Sequence, residues 1–230
     1  MRHRWALAGL AALPFVLAGC STGKSPSALP IKAILQAELA RLKGESRPAG
    51  GLVAQPDPAI LAEGRRVLQA AGQPVISVVD PTIGLVTFMA PLGENAGVVT
   101  WANPEYQTIS MREGVILATR GFGADLMSAE VPSAATLSLG KGTYQRVHYV
   151  LDGGDQTQKQ VYSCGLSVSN NETISVLGLN YDTTKVDEVC TGDTGSLTNS
   201  YWFDHTGVIR QSRQAKMAGV ENMQLQAIID

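Results

Sequence analysis

Four acidic residues on or next to predicted strands have the chemistry that hydrolysis of a sugar polymer needs: Glu172, Asp187, Glu188 and Asp204. Glycoside hydrolysis uses two carboxyl groups that face each other across the scissile bond, one as an acid and one as a base or nucleophile. The sequence spacing of the four residues does not indicate which two would face each other. A β protein of this size ordinarily carries acidic residues of this kind. A glycan-processing enzyme is therefore one possible function of the chain, but the sequence identifies no catalytic residue for it.

The histidines do not complete a hydrolytic motif. His148 lies in the middle of a predicted strand beside Tyr149, a position typical of a half-buried structural histidine, and His205 lies in a predicted turn. The sequence has no GxSxG nucleophile elbow. A Ser–His–Asp triad assembles from distant positions, so the sequence leaves that alternative open without supporting it.

Two glycine-containing segments resemble ligand loops only in part. Asp152-Gly-Gly-Asp155 offers two carboxylates, but a calcium loop needs more oxygen ligands and a bidentate glutamate, so a hairpin turn is the better interpretation. Gly121-Phe-Gly123 lacks the third glycine of a dinucleotide-binding loop and the lysine of a P-loop, and indicates a sharp turn or close packing. The sequence predicts no metal and no cofactor.

The densest group of aromatic and cationic residues comprises Tyr201, Trp202, Phe203, Arg210 and Arg213. Aromatic faces stack on sugar rings, and arginine pairs with the carboxylates of acidic sugars. Core packing is the competing interpretation, because alternation along a strand would send Trp202 into the core and its two neighbours to the other face. Arg210 and Arg213 have opposite parity, which predicts that they lie on opposite faces of one strand.

Short β-branched segments separated by turn residues have to position these side chains. Strands are predicted at residues 75–79, 85–89, 98–101, 106–112, 115–120, 143–151, 158–167, 172–179, 183–190, 200–203, 207–213 and 223–229. Glu113-Gly114 is typical of a hairpin turn, and residues 125–130 are predicted as a short helical turn. Because no long helices are predicted between strands, the expected fold is mainly β, an antiparallel meander sheet that is curved or barrel-like, with one or two N-terminal helices.

Two helices are predicted before the strands. The first is indicated by apolar residues at helical spacing, namely Ile31, Ile34, Leu35, Leu39 and Leu42. The second begins at Asp57-Pro58, which combines an N-cap with a proline at the first helical position, and ends at Gly72.

The first twenty residues have the organisation of a bacterial lipoprotein signal peptide. A positive start with Arg2 and Arg4 precedes an apolar run at residues 5–18, which is shorter than the roughly 20 residues of a spanning helix. The run ends in Leu-Ala-Gly-Cys20. We expect cleavage before Cys20 and lipidation of its thiol, including palmitate, as a stable anchor. Serine rather than aspartate at position 21 favours the periplasmic face of the outer membrane.

The cysteine count fits an exported protein. Removing Cys20 leaves Cys164 and Cys190, and an even remainder in an oxidising compartment indicates one disulfide. The chain-entropy model gives such a bond about 3–4 kcal/mol of stability. A zinc site is the alternative, but it needs about four ligands, and the mature chain adds only His148 and His205.

The chain divides into four predicted segments: a signal peptide at 1–19, a lipidated cysteine and flexible tether at 20–30, a helical segment at 31–72 and a β-rich domain at 73–230. The formal net charge of −2 becomes −4 without the two N-terminal arginines, with 16 basic and 20 acidic residues remaining. Such a chain lacks the basic footprint of nucleic-acid binding and the polybasic patch that attracts anionic lipid.

Three motifs resemble one known family in their order and spacing. They are Val-Thr-Trp-Ala102 with the segments at 108–114 and 118–126, then Cys164 with Val-Asp-Glu-Val-Cys190, and finally the segment at 199–214. With the lipoprotein signal, residues 75–229 are similar to the YjbF family of lipoproteins. The resemblance implies that the following residues match family positions: the paired cysteines Cys164 and Cys190, and the recurrent Arg120, Asp125, Trp202, Arg210 and Arg213.

That resemblance implies a role in making or secreting extracellular polysaccharide, including group 4 capsule. No enzyme activity is generally assigned to the family. We therefore expect a non-enzymatic outer-membrane lipoprotein that is accessory to the production or secretion of exopolysaccharide or capsule polysaccharide. The alternatives are a periplasmic glycan-processing enzyme and an envelope-assembly lipoprotein that binds protein partners. The expected site for glycan or a partner contains Tyr201, Arg210 and Arg213, with Arg120 and Asp125 close by.

The expected partners follow from the same features. They are the membrane, reached through the N-terminal lipid, an extracellular polysaccharide, an outer-membrane β-barrel protein and periplasmic export proteins. Nucleic acid is not an expected partner because of the acidic net charge.

Overall fold

The computed structural model describes residues 58–152, 154 and 156–229. The predictions that lie outside the described residues are those on the signal peptide, Cys20, the tether, the first helix, the Asp57 N-cap, Gly153 and Asp155. Within the described part of the chain, no helix has the length and apolar character needed to cross a membrane.

Helix α1 (Pro58–Ala70) packs on the outside of the sheet. The proline at its first position suits a helix start, and Gly72 ends it in a left-handed conformation with φ of 64°. The Arg65 guanidinium donates hydrogen bonds to the backbone carbonyls of Val176, Leu177 and Ile228. These bonds hold α1 against one end of the sheet.

Twelve antiparallel strands form one sheet whose spatial order follows a meander. The strands are β1 (Val75–Asp80), β2 (Leu85–Asn95), β3 (Val98–Ala102), β4 (Thr108–Arg112), β5 (Val115–Arg120), β6 (Leu126–Glu130), β7 (Thr143–Leu151), β8 (Thr157–Val176), β9 (Leu179–Gly192), β10 (Gly195–Asp204), β11 (Ile209–Gln214) and β12 (Met223–Ile229). β5 and β6 are the two end strands, and the sheet curves until they lie side by side. The result is a nearly closed barrel, which confirms the predicted fold class.

Three elements differ in type or number from the sequence prediction, and strands β2, β9 and β10 are longer than predicted. Residues 126–130 form strand β6 rather than a helical turn, because they pair with β7. The segments predicted at 158–167 and 172–179 are one long strand, β8, which turns at Leu177-Gly178 with positive φ at both residues. A short helix, α2 (Ala134–Ser138), was not predicted, and the Ser133 hydroxyl caps it by accepting a hydrogen bond from the backbone N–H of Thr136.

Apolar side chains fill most of the barrel interior. One group lies between β1, β4 and β12 and includes Ile76, Ile109, Met111 and Leu225, all nearly inaccessible to solvent. A separate group lies outside the barrel under α1. Its buried members are Leu68, Val75, Ile174, Val176, Trp202 and Ile228.

Candidate functional site

Tyr201 and Trp202 lie on opposite faces of β10, but neither is exposed. Tyr201 points into the barrel and is 0% exposed, while Trp202 points outward beneath α1 and is 5% exposed. The assignment of Trp202 to the barrel core is wrong, and Tyr201, which was expected at the contact site, does not reach solvent. On the outward face of β10, Trp202 is buried in one cluster with Leu68 of α1 and with Ile174 and Val176 of β8. Alternation could not distinguish two buried faces.

Arg213 is the exposed member of the predicted contact residues on β11. Its guanidinium carbon lies 5.8 Å from the centre of the Trp202 ring. The Lys185 ammonium lies 5.4 Å from the same ring, and the indole N–H donates to the Glu172 carboxylate. Trp202 is thus fixed by two cations and an acid, with Arg213 at the solvent side.

Arg210 has a different environment. It forms an ion pair with Asp204 at 2.7 Å and lies 4.8 Å from the centre of the Tyr181 ring. The pairing of β10 with β11 shifts between Trp202 and Phe203, which makes Arg210 the extra residue of a bulge. Because Tyr181 packs against the same cluster as Trp202, the predicted separation of Arg210 and Arg213 by parity is wrong.

Asp204 organises the turn that follows β10. Its carboxylate accepts hydrogen bonds from the backbone N–H groups of Thr206 and Val208 and from the Arg210 guanidinium. Burial opposes ionisation, but these hydrogen bonds lower the pKa of Asp204 to about 2. These hydrogen bonds give Asp204 a structural role in the turn, where His205 lies exposed.

Arg120 and Asp125 make their contacts in the turn between β5 and β6. Asp125 accepts hydrogen bonds from the backbone N–H groups of Gly121 and Phe122 and from the Thr119 hydroxyl. Arg120 donates to backbone carbonyls of both end strands, including that of Leu126 at 3.1 Å. These bonds help to close the barrel, and they do not bring Arg120 or Asp125 to Arg213.

A buried polar cluster inside the barrel was not predicted. We call Tyr144, Arg146, Glu188, Asn199 and Tyr201 the interior polar cluster. Arg146 donates to both carboxylate oxygens of Glu188 at 2.8 Å. The same carboxylate accepts from Tyr144 at 2.6 Å, from Asn199 at 2.6 Å and from Tyr201 at 3.0 Å. Each carboxylate oxygen therefore has at least two donors.

The charge states of the interior polar cluster follow from these contacts. Burial alone would raise the pKa of Glu188, but the charge and hydrogen bonds of Arg146, with those of Tyr144 and Asn199, lower it overall. Burial, together with the negative charge of Glu188, raises the pKa of both Tyr144 and Tyr201 far above the usual range. At neutral pH the cluster holds an ionised Arg–Glu pair and neutral tyrosine donors, which suits structure rather than proton transfer.

The cysteine pair adjoins this cluster. Cys164 and Cys190 occupy directly opposite positions on β8 and β9 and form the predicted disulfide. The Cys190 sulfur lies 3.4 Å from the Glu188 carboxylate. The sulfurs of Cys164 and Cys190 and the Glu188 carboxylate lie close enough together to be considered as metal ligands. Zinc binds cysteine as a thiolate, however, and the sulfurs of a disulfide are not thiolates.

Another buried ion pair closes the end of the barrel near the β5–β6 turn. The Lys216 ammonium lies 2.6 Å from the Asp80 carboxylate, and both side chains are fully inaccessible. It also donates to the Phe122 carbonyl at 3.0 Å and lies 5.6 Å from the centre of that ring. Phe122 and Lys216 together fill this end of the interior.

The position of His148 in the middle of a strand predicted a half-buried side chain. In the structure this side chain is fully buried. Neither ring nitrogen meets hydrogen-bond geometry with any described residue. Burial and the nearby charge of Arg146 lower the pKa of His148 to about 4, although the Lys216 backbone and Glu188 partly oppose them. The ring packs edge-on against Tyr162 at 5.5 Å.

We expect this histidine to make folding sensitive to acid. Because the pKa of His148 is about 4 in the folded protein and 6.5 when unperturbed, the unfolded chain binds the proton more readily. The free energy of unfolding should therefore fall by about 3 kcal/mol as pH drops from above 6.5 to about 4. Urea unfolding across this range measures the loss, and His148→Leu should abolish its share. An identical pH dependence in the variant and the natural chain would contradict the assignment.

A groove of about 660 Å³ lies at the end of the barrel opposite Lys216. Its walls are mostly apolar and include Ile76, Trp101, Met111 and Leu225. Exposed residues at its mouth are Glu113, Ala135, Ser138, Thr206 and Val208. We call this feature the barrel-end groove. Sequence reasoning missed it because its walls come from residues distant in the chain.

Comparison with known families identifies the chain. A model described as group 4 capsule polysaccharide lipoprotein gfcB, YjbF, matches residues 58–228. The chain belongs to the YjbF family. The resemblance seen in residues 75–229 is confirmed, and the match extends it to α1. The chain is thereby related to lipoproteins of capsule polysaccharide.

The chain is similar to solved structures. The hypothetical lipoprotein YmcC from Escherichia coli K12 is 17% identical, with a TM-score of 0.65 over 81% of this chain and 98% of that one. An exported protein with a YmcC-like fold from Bacteroides fragilis is 10% identical, with a TM-score of 0.36 over 68% and 93% of the two chains. At 17% identity the likeness to YmcC shows the fold alone. None of the curated proteins matches this chain.

Proposed function

We propose that this YjbF family member is a lipid-anchored lipoprotein of the periplasmic face of the outer membrane. It acts as a non-enzymatic accessory in the production or secretion of an exopolysaccharide or capsule polysaccharide. The observation that carries the proposal is the family match over residues 58–228. Its expected partners are the polysaccharide, an outer-membrane β-barrel protein and periplasmic export proteins.

The contacts of the four strand carboxylates support a non-enzymatic role. Glu188 is enclosed by its donors, and Asp204 holds a turn. Glu172 accepts the indole N–H of Trp202, while Asp187 accepts from the Ser200 hydroxyl at 2.5 Å. Hydrolysis of a glycosidic bond needs two carboxyl groups that are free to face that bond. Each of these four acids instead accepts hydrogen bonds from residues of the fold.

Incubation with purified polymer tests the role directly against the enzymatic alternative. The full mature chain should leave the length distribution of the polysaccharide unchanged in size-exclusion chromatography. If the polymer is shortened, and Glu172→Gln or Asp187→Asn abolishes the shortening, the proposal is overturned in favour of a glycan-processing enzyme.

The anchor has its own test. A Cys20→Ser protein lacks the thiol that accepts lipid, so we expect it to leave the membrane fraction after a salt wash, while the natural chain stays. The intact mass of the mature N-terminus reports the lipid. Full retention of the Cys20→Ser protein in membranes would contradict lipid anchoring.

Arg213 is an exposed residue of the predicted contact site, beside Trp202, and its exposure suits a role in binding. We expect Arg213→Ala to lower polymer secretion while costing about 1 kcal/mol or less in unfolding free energy, as an exposed cation–π pair does. Arg112→Ala, at another exposed strand arginine, is the matched control and should secrete normally. Normal secretion by a stable Arg213→Ala protein would remove Arg213 from the site.

A further inference from the structure

The barrel-end groove enters the interior of the barrel between two groups of apolar side chains. Ile76, Met111 and Leu225 belong to the group between β1, β4 and β12, and each is at most 5% exposed. Ala134 and Ile209 belong to a second buried group. All five residues line the groove. The space therefore separates two parts of the apolar interior.

The size of the groove is that of a binding site rather than of a packing defect. Protein interiors are closely packed, and few of their voids are larger than a water molecule. A space of about 660 Å³ instead falls in the range of small-molecule sites, which have mostly apolar walls and occur in the mouths of β-barrels. Apolar walls offer water few hydrogen bonds, so the occupant that gains most from them is a hydrocarbon.

The polar groups at the mouth of the groove act as hydrogen-bond acceptors. The Thr206 hydroxyl already donates to Asp204 at 2.6 Å, and the Ser138 hydroxyl donates to the Ala135 carbonyl at 2.9 Å. An ionised carboxylate such as that of Glu113 only accepts. Among the described residues that line the groove, none is basic. A head group that suits this mouth therefore donates hydrogen bonds and carries no negative charge.

The wall of the barrel beside the groove is interrupted. Strand pairing stops at β5 and β6, the two end strands of the sheet. At the end away from the groove, Arg120 ties these strands together by donating to the carbonyls of Thr119 and Leu126. At the groove end, the Ala134 N–H donates to the Glu113 carboxylate at 3.3 Å, across the gap between the strands. A long chain can therefore enter here without breaking the pairing of neighbouring strands.

We propose that the barrel-end groove binds a single-chain lipid whose head group carries hydroxyl donors and no negative charge. The hydrocarbon chain lies between the two apolar groups, beside Trp101 and Met111. The hydroxyls donate to Glu113 and Thr206 at the mouth. A monoacylglycerol has this chemistry. The groove is separate from the outer face of β11, where Arg213 lies beside Trp202, so the inference does not depend on the polysaccharide role.

Titration calorimetry tests the site in the full mature chain with Cys20→Ser, which lacks the thiol that accepts lipid. The probes are 1-monolauroylglycerol and laurate, which share an alkyl chain but differ in head-group charge, both below micelle formation. The first should bind with one molecule per chain. Laurate should bind about tenfold more weakly, because its carboxylate would lie beside that of Glu113. Glu113→Gln, at an exposed residue, should bring the two affinities together.

Filling the groove provides a second test. Ala227→Phe, on the β12 wall, should abolish the binding of 1-monolauroylglycerol. Ala118→Phe, at a half-buried alanine of β5 that does not line the groove, is the matched control and should leave binding unchanged. Circular dichroism reports the folding of both variants, and Glu113→Gln decides the question if Ala227→Phe does not fold. No binding of 1-monolauroylglycerol, equal affinity for laurate, or undiminished binding by a folded Ala227→Phe protein would each overturn the proposal.

Discussion

A Glu188→Gln protein should lose about 3–5 kcal/mol of unfolding free energy, because removing one partner of a buried ion pair leaves the other charge uncompensated. Glutamine keeps the shape of the side chain, but Arg146 would remain charged and only 3% exposed beside it. Tyr144 and Tyr201 would lose a charged acceptor. Urea unfolding of the purified mature chain measures the change.

The matched control is Glu63→Gln on α1. Glu63 also pairs with an arginine, Arg66, at 2.6 Å, but the two side chains are 59% and 70% exposed. Removing this charge should change stability little, since surface ion pairs contribute little. Equal losses for Glu188→Gln and Glu63→Gln would show that the interior polar cluster does not depend on its charge pair.

A Lys216→Met protein should be destabilised by a similar amount, about 3–5 kcal/mol. The substitution leaves the Asp80 carboxylate fully buried, with a remaining hydrogen bond from the Thr82 backbone N–H at 3.0 Å. It also removes the donor to the Phe122 carbonyl, which helps to fill that end of the barrel. Thermal and urea unfolding both report the loss.

A second substitution separates lost charge from lost packing. Adding Asp80→Asn to Lys216→Met removes the stranded charge while keeping the acceptor for Thr82, so it should restore most of the stability. Lys185→Met, in a partly exposed pair with Asp187, is the control and should cost about 1 kcal/mol or less. A double variant no more stable than Lys216→Met would show that the ion pair is not the cause.

The turns were the most predictable part of the fold. Glu113-Gly114 forms the expected hairpin turn, with positive φ at both residues, and local sequence is sufficient to specify such a turn. Strand β6 was misassigned because residues 126–130 acquire strand structure by pairing with β7, which local propensity does not report. The length of β8 was underestimated for the same reason, since polar residues in its middle pair with β9.

The residues inside the barrel were harder to predict than the strands. Alternation on β10 separated Tyr201 from Trp202 correctly, but it could not show that the outer face is buried as well, in a cluster with residues of α1 and β8. The sequence did contain an indication that Glu188 faces inward. Glu188 and Cys190 are two residues apart on β9 and therefore lie on the same face of the strand, so a buried disulfide at Cys190 places Glu188 inside as well. Its partners Arg146 and Asn199 come from other strands and depend on register.

The amount of polysaccharide at the cell surface tests the central claim most directly. It should be measured in a strain that lacks this gene and carries either the natural chain or an empty vector. We expect the strain without the protein to expose markedly less polymer, of unchanged chain length, and the natural chain to restore the amount. Equal amounts in the two strains would contradict a role in polysaccharide production or secretion.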